Sequence, residues 1–132
     1  MLGRDDAVAL IQEAYAARVR GDKEALTRYW AQDATFEIAG HRSLLPDIAQ
    51  GGPNPMEAIS GLIDQFRFDD LILLDAIVEG NRIAARWQVT VEKADLDPET
   101  TQLVDLIELD EDGKIRSFVQ FCDTALIRHM TR

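Results

Sequence analysis

Apolar residues recur along this chain at two different periods, and the change from one to the other divides it. From Arg4 to Arg20, Val8, Ile11, Tyr15 and Val19 return every three or four positions, which predicts a helix with one apolar stripe. Gly21 can end that helix. Asp22 can cap a second one reaching Trp30, with Leu26 and Trp30 one turn apart. Asp33 to Ile38, DATFEI, predicts a short strand on which Phe36 and Ile38 share a face. Gly40 to Pro53 has no period and is rich in Gly and Pro, so it is expected to be a lid or an insertion. Asn54 as cap, Pro55 at the first helical position and Glu57 in a capping box begin a helix that should end near Phe66. From Arg67 the period becomes two. Strands are predicted over Arg67–Glu79 and Arg82–Lys93, divided by Gly80-Asn81, and the exposed DLDPE connection leads into two more between Thr101 and Asp123. Thr124 to Arg132 reads as a short final helix or a frayed end.

The last two strands carry most of the chemistry. Asp112-Gly113 tolerates the positive φ angles of a tight hairpin, and a two-residue turn there sets Glu111 opposite Lys114 and Asp105 opposite Gln120. One face of the hairpin then carries Leu103, Asp105, Ile107, Phe118, Gln120 and Cys122. The other carries Val104, Leu106, Val119, Phe121 and Asp123. Both faces are mainly apolar, so both should be covered. Asp105 stands out, because burying a carboxylate between Val104 and Leu106 is costly unless it is hydrogen-bonded or protonated. It reads either as a functional carboxyl or as a structural one satisfied by a neighbouring Gln or Arg.

The order helix, helix, strand, helix and four strands predicts one α+β domain over residues 1–132, a curved antiparallel sheet wrapped around helices with a concave pocket. An apolar convex face on such a sheet calls for a partner. Length and a hydrophobic content of 46% suit a single core. A formal net charge of −10 with scattered cations argues against nucleic acid and against an anionic membrane surface. No apolar run approaches a membrane span, and nothing at the start resembles a signal peptide, so a cytoplasmic setting is expected. The single cysteine, Cys122, excludes an intrachain disulfide and reads as a small core residue. Cys122, His41 and His129 have no metal-ligand spacing, so no metal site is expected; no organic cofactor is expected either.

Two stretches, Gly21 to Gly40 (GDKEALTRYWAQDATFEIAG) and Leu103 to Phe118 (LVDLIELDEDGKIRSF), together with the order of elements, resemble the cone-shaped fold of nuclear transport factor, ketosteroid isomerase, limonene epoxide hydrolase and the SnoaL-like polyketide cyclases. The fold hosts many chemistries, so function has to be argued from the site. The resemblance to ketosteroid isomerase sets Asp105 at that family's oxyanion-hole Asp, a carboxyl kept protonated by an apolar site and itself a standard example of that effect. The isomerase's base falls at Ile38, which cannot take a proton, and its oxyanion-hole Tyr falls near Ala14, one residue from Tyr15. The resemblance to the epoxide hydrolases keeps an Arg at Arg86 but replaces two carboxylates by Gln88 and Gln120 and the water-holding pair by Phe36 and Ile38. Glutamine is no general acid or base at neutral pH.

The catalytic residues expected on these grounds are Asp105, Arg86 as its charge partner, and His41 at the mouth of the pocket. Tyr15, Trp30, Phe36, Ile38, Phe66, Gln88, Phe118 and Gln120 are expected to line it. An Asp105–Arg86 pair could equally be structural. Trp87, Val89, Val91, Val119 and Phe121 are expected on the convex face as a homodimer surface. The function expected is cofactor-independent isomerisation, cyclisation or dehydration, by proton transfer on a small apolar oxygenated molecule of polyketide, steroid or terpene type. A non-catalytic ligand-binding or dimerisation module is the alternative, and an epoxide-hydrolase-like activity the third reading.

Overall fold

The computed structural model describes residues 3–40 and 55–131. In chain order these form α1 (Arg4–Arg20), α2 (Lys23–Thr27), β1 (Trp30–Ile38), α3 (Pro55–Gln65), β2 (Arg67–Glu79), β3 (Arg82–Glu92), β4 (Glu99–Leu109), β5 (Ile115–Phe121) and α4 (Thr124–Thr131). Helix α1 has Asp5 and Asp6 in its first turn and Arg18 and Arg20 in its last, complementing the helix dipole at both ends. It stops at Gly21, whose φ of 70° places it in the left-handed region. The Asp22 carboxylate then accepts from the Ala25 N–H at 3.0 Å and starts α2. That helix is shorter than its pattern suggests. The Ile115 N–H donates to the Tyr29 carbonyl, which draws the chain into the sheet, so Trp30 opens β1 instead of continuing α2.

The sheet runs β1-β5-β4-β3-β2. Its last four strands pair antiparallel in sequence order, while β1 lies parallel to β5, so the sheet is mixed and the all-antiparallel expectation is corrected at that edge. The α+β class stands. The parallel pairing sets Phe36 beside Phe118 and Ile38 beside Gln120. The β4–β5 register has Asp105 opposite Gln120, as the hairpin pattern predicts. The turn is longer than two residues: the Asp110 N–H donates to the Lys114 carbonyl at 2.8 Å, Gly113 adopts φ 78°, and the register slips between Glu108 and Leu109. That one-residue slip lets the longer turn feed the same register. Strand β2 has two further slips, between Asp69 and Ile72 and between Leu73 and Asp75, with Asp70 at φ 49°. They bend the strand and break the single alternation expected for it.

Helices α1 and α3 cover the concave face. From β3 that face receives Ile83, Ala85, Trp87, Val89 and Val91, all buried, together with Leu103 and Ile107 of β4. The outer face carries Arg86 and Gln88. Cross-strand pairing sets Ile77, Ala84, Leu106 and Val119 in one row there, and Asp75, Arg86, Val104 and Phe121 in the next. Ile77 is 66% exposed, Phe121 47% and Leu106 45%, so this face is uncovered in the single chain, contrary to the expectation that both faces are buried. Trp87, Val89 and Val91 cannot belong to a convex dimer surface, because the pairing of Ala85 with Asp105 puts them inside. Val119 and Phe121 do lie on the outer face.

Candidate functional site

Asp105 lies in the middle of β4, with Ala85 on one side and Gln120 on the other, and has no exposed surface. Tyr15, on the inward stripe of α1, donates its hydroxyl to Asp105 Oδ2. Gln120 Nε2 donates to Asp105 Oδ1 at 3.1 Å and to the Tyr15 hydroxyl oxygen at 3.1 Å. Three polar groups from α1, β4 and β5 thus close a small network inside the core. The Trp87 indole N–H lies near enough to Asp105 to favour its charged form, without a hydrogen bond of standard geometry. The Trp87 ring packs on Tyr15 with centroids 4.3 Å apart and fixes the phenol from behind.

Burial pushes Asp105 up to about 7, and the donors Tyr15, Gln120 and Trp87 only partly oppose it. The neighbours are neutral. Arg86 is exposed on the opposite face, where it donates to Gln102 at 3.2 Å, so it is not the counter-ion expected for Asp105. That resolves the direction of the shift: an Asp with neutral donors in an apolar interior rises. Burial, followed by the adjacent Asp105 charge, also raises the Tyr15 phenol well above its ordinary value.

In front of this network lies a cavity of about 860 Å3, including its open mouth. Tyr15 and Gln120 form part of its wall, whereas Asp105 is behind them and does not line it. Trp30, Phe36 and Phe118 form an aromatic cluster on the wall, with Trp30 stacked on Phe118 at 5.4 Å and Phe36 at 5.6 Å from Phe118. Ile38 and Phe66 line it as well, and Leu126 and Ile127 of α4 reach it from the C-terminal side. Seven of the expected pocket residues are therefore brought together: Tyr15, Trp30, Phe36, Ile38, Phe66, Phe118 and Gln120. Gln88 is not among them. It shares the outer face with Arg86, because a displacement of one residue along a strand reverses the face. The Arg86, Gln88 and Gln120 set of an epoxide-hydrolase-like site is consequently not assembled. His41 and the expected lid beyond Gly40 lie outside the described residues.

A candidate functional residue of the wall, a buried cation, was missed in the sequence. Arg18, one turn beyond Tyr15 on α1, is only 8% exposed. Its Nη2 donates to the Phe66 carbonyl at 2.8 Å and the Leu62 carbonyl at 3.3 Å, and its guanidinium carbon sits 3.9 Å from the centre of the Phe68 ring. The signal was present: an arginine three residues after Tyr15 falls on the stripe of Ala7, Ile11 and Ala14. Cys122 is half-buried on the cavity wall, and burial with Asp123 and Asp105 nearby raises its thiol to about 11, so it stays protonated. Among the described residues no group of His, Cys, Asp and Glu could hold a metal ion, and no helix is long and apolar enough to cross a membrane.

A bent sheet curled over a long helix, with an apolar cavity between them, is the architecture of the NTF2-like fold. The chain belongs to the SnoaL-like domain family, whose model matches residues 11–118. Solved structures agree on the fold. An NTF2-like protein from Burkholderia pseudomallei superposes with a TM-score of 0.77 at 17% identity, covering 94% of this chain and 95% of that one. TerC co-crystallised with polyporic acid does so with a TM-score of 0.77 at 14% identity, covering 94% and 96%. An epoxide hydrolase from M. tuberculosis similar to limonene epoxide hydrolase gives a TM-score of 0.71 at 13% identity, covering 92% and 85%. No curated protein matches the chain in sequence.

Proposed function

We propose that the protein is an enzyme without metal or organic cofactor that moves a proton to or from an oxygen of a small, largely apolar carbonyl or enol compound. The observation that carries this reading is the hydrogen-bonded Tyr15–Asp105–Gln120 network standing in the wall of an apolar cavity. With Asp105 ionised, the Tyr15 O–H points back at it and offers the cavity only an oxygen lone pair. With Asp105 protonated, the carboxyl O–H donates to the Tyr15 oxygen, and the Tyr15 O–H is free to turn to a ligand carbonyl. A proton passed from Tyr15 to the ligand is then replaced from Asp105, and the charge ends on the carboxylate. A group near 7 is suited to run this in either direction at neutral pH. Isomerisation, cyclisation and dehydration all need such a step. Tyr15 would touch the substrate, and Asp105 would act through it.

Exchange of the hydrogens beside the carbonyl of a bicyclic ketone, 2-tetralone, for solvent deuterium tests the proposal, with solvent water taking the proton from carbon as Tyr15 donates one to the carbonyl oxygen. Tyr15→Phe and Asp105→Asn should each slow exchange at least about a hundredfold, while leaving 2-tetralone binding nearly unchanged. Exchange at the background rate in the unaltered protein, or undiminished in Tyr15→Phe, would leave the non-catalytic ligand-binding reading. One observation favours that alternative, namely that Asp105 does not itself reach the cavity. A homodimer through the outer sheet face belongs to the same proposal, with Leu106, Phe121 and Ile77 at its centre in place of Trp87, Val89 and Val91. So does the cytoplasmic setting.

A further inference from the structure

Arg18 is not explained by the fold alone. Its Nη2 caps the last turn of α3 through Leu62 and Phe66, which a neutral donor could do. Its charge has no counterpart: Arg18 forms no salt bridge with any described carboxylate. The N–H groups on Nη1 and Nε have no hydrogen-bond partner among the described residues, yet those nitrogens are not sealed in the core. Arg18 and the three residues it touches, Leu62, Phe66 and Phe68, all line the cavity. A buried guanidinium without an anion is an expensive arrangement unless one arrives. Burial lowers its pKa only to about 10, so it remains a cation at neutral pH. The rest of the wall is almost wholly apolar, apart from Tyr15, Gln120, Thr101 and Asp123.

We infer that Arg18 is the anchor for an anionic oxygen of the ligand, and that the cavity takes an apolar organic acid whose carboxylate or enolate meets the free N–H groups of this guanidinium. The inference rests on the proposal that the cavity receives a small molecule, and it deepens that proposal by naming the ligand's charge. A free N–H of this fixed cation can donate a charge-assisted hydrogen bond to one anionic oxygen. The Phe68 ring and the Leu62 and Phe66 carbonyls hold the guanidinium in place, so little side-chain freedom is lost on binding. The aromatic cluster of Trp30, Phe36 and Phe118 then receives the apolar body.

The test uses two acids, 2-naphthoate and cyclohexylacetate, each beside its neutral primary amide, with binding measured by calorimetry. The unaltered protein should bind at least one acid on the order of ten- to a hundredfold more tightly than its amide. Arg18→Gln should remove the preference by weakening the acid alone, and Arg18→Lys should restore part of it. Because Arg18→Gln could loosen α3, the side-chain N–H resonance of Arg18 in the unaltered protein provides a second readout. It should shift when the acid is added and stay in place with the amide. A 2-enolate arm, the anion of 1,3-cyclohexanedione, separates the two oxygen sources: either anion producing the Arg18 shift supports the anchor. Equal binding of acid and amide, or a preference that survives in Arg18→Gln, would overturn the anchor while the cavity reading stands. Binding of none of these compounds would overturn both. Loss of deuterium exchange in Tyr15→Phe with acid preference intact belongs to the proton relay and leaves Arg18 in its role.

Discussion

Replacing Asp105 by Asn removes a titrating group from the core at almost constant shape. The Asn oxygen can still accept from Tyr15, and a rotated Gln120 amide can accept from the new N–H. In the unfolded chain the carboxyl has its ordinary value of 3.8; in the fold, burial raises it to about 7. A raised folded value means that the unfolded state releases its proton first. The stability contributed by neutral Asp105 is therefore fully present below pH 3.8 and is lost as pH rises through about 7. The complete loss is at most about 4 kcal/mol at about 1.4 kcal/mol per tenfold change, of which about 2–3 kcal/mol should fall between about pH 5 and 8. Urea unfolding of both proteins across that range isolates the effect, because the other carboxylates titrate alike in both and cancel in the difference. Asp105→Asn should gain on the unaltered protein steadily as the pH rises, by that amount. A difference that is flat from weakly acidic to weakly basic pH would mean that Asp105 is ionised throughout, and the burial argument would be wrong.

The two faces of β3 give a second check: Trp87→Ala should cost roughly 3–5 kcal/mol, and Arg86→Ala within about 0.5 kcal/mol, by the same urea measurement. The reverse order would refute the assignment of Trp87 to the inside. Leu106→Arg, in the middle of the outer row, should convert a dimer to a monomer in sedimentation equilibrium. A monomeric parent protein, or a variant that still pairs, would remove that face as the interface. Finally, an anion held at Arg18 close to Tyr15 would favour neutral Asp105, so binding of 2-naphthoate near neutral pH should take up a fraction of a proton. Calorimetry in buffers of different ionisation enthalpy measures it, and uptake of the same size in Asp105→Asn would show that some other group is responsible.

How much of this was legible depends on the range over which each feature is decided. Helix α1, the hairpin and the Asp105–Gln120 pairing follow from local patterns: a stripe, a glycine after an aspartate, a period of two. The inversion of β3 was avoidable, because RIAARWQVTVE alternates Ile83, Ala85, Trp87, Val89 and Val91 against Arg82, Arg86, Gln88 and Thr90. Its own period points Trp87 inward. Placing Arg86 by resemblance to another family overrode that pattern by one residue, and one residue in a strand is the whole difference between core and solvent. Strand β2 could not be read the same way, since its two slips interrupt the alternation where the strand bends. The site itself is the least local feature of all. Asp105 receives its hydrogen bonds from a residue 90 positions earlier and one 15 positions later, and Arg18 finds its carbonyls 44 and 48 positions onward. A buried carboxyl's direction of titration is set by which groups close around it. Sequence alternation could mark Asp105 as out of place, but only the crossing of α1 over β4 and β5 decides that its partners are neutral donors and that Arg18, the one buried cation among the described residues, lines the cavity instead.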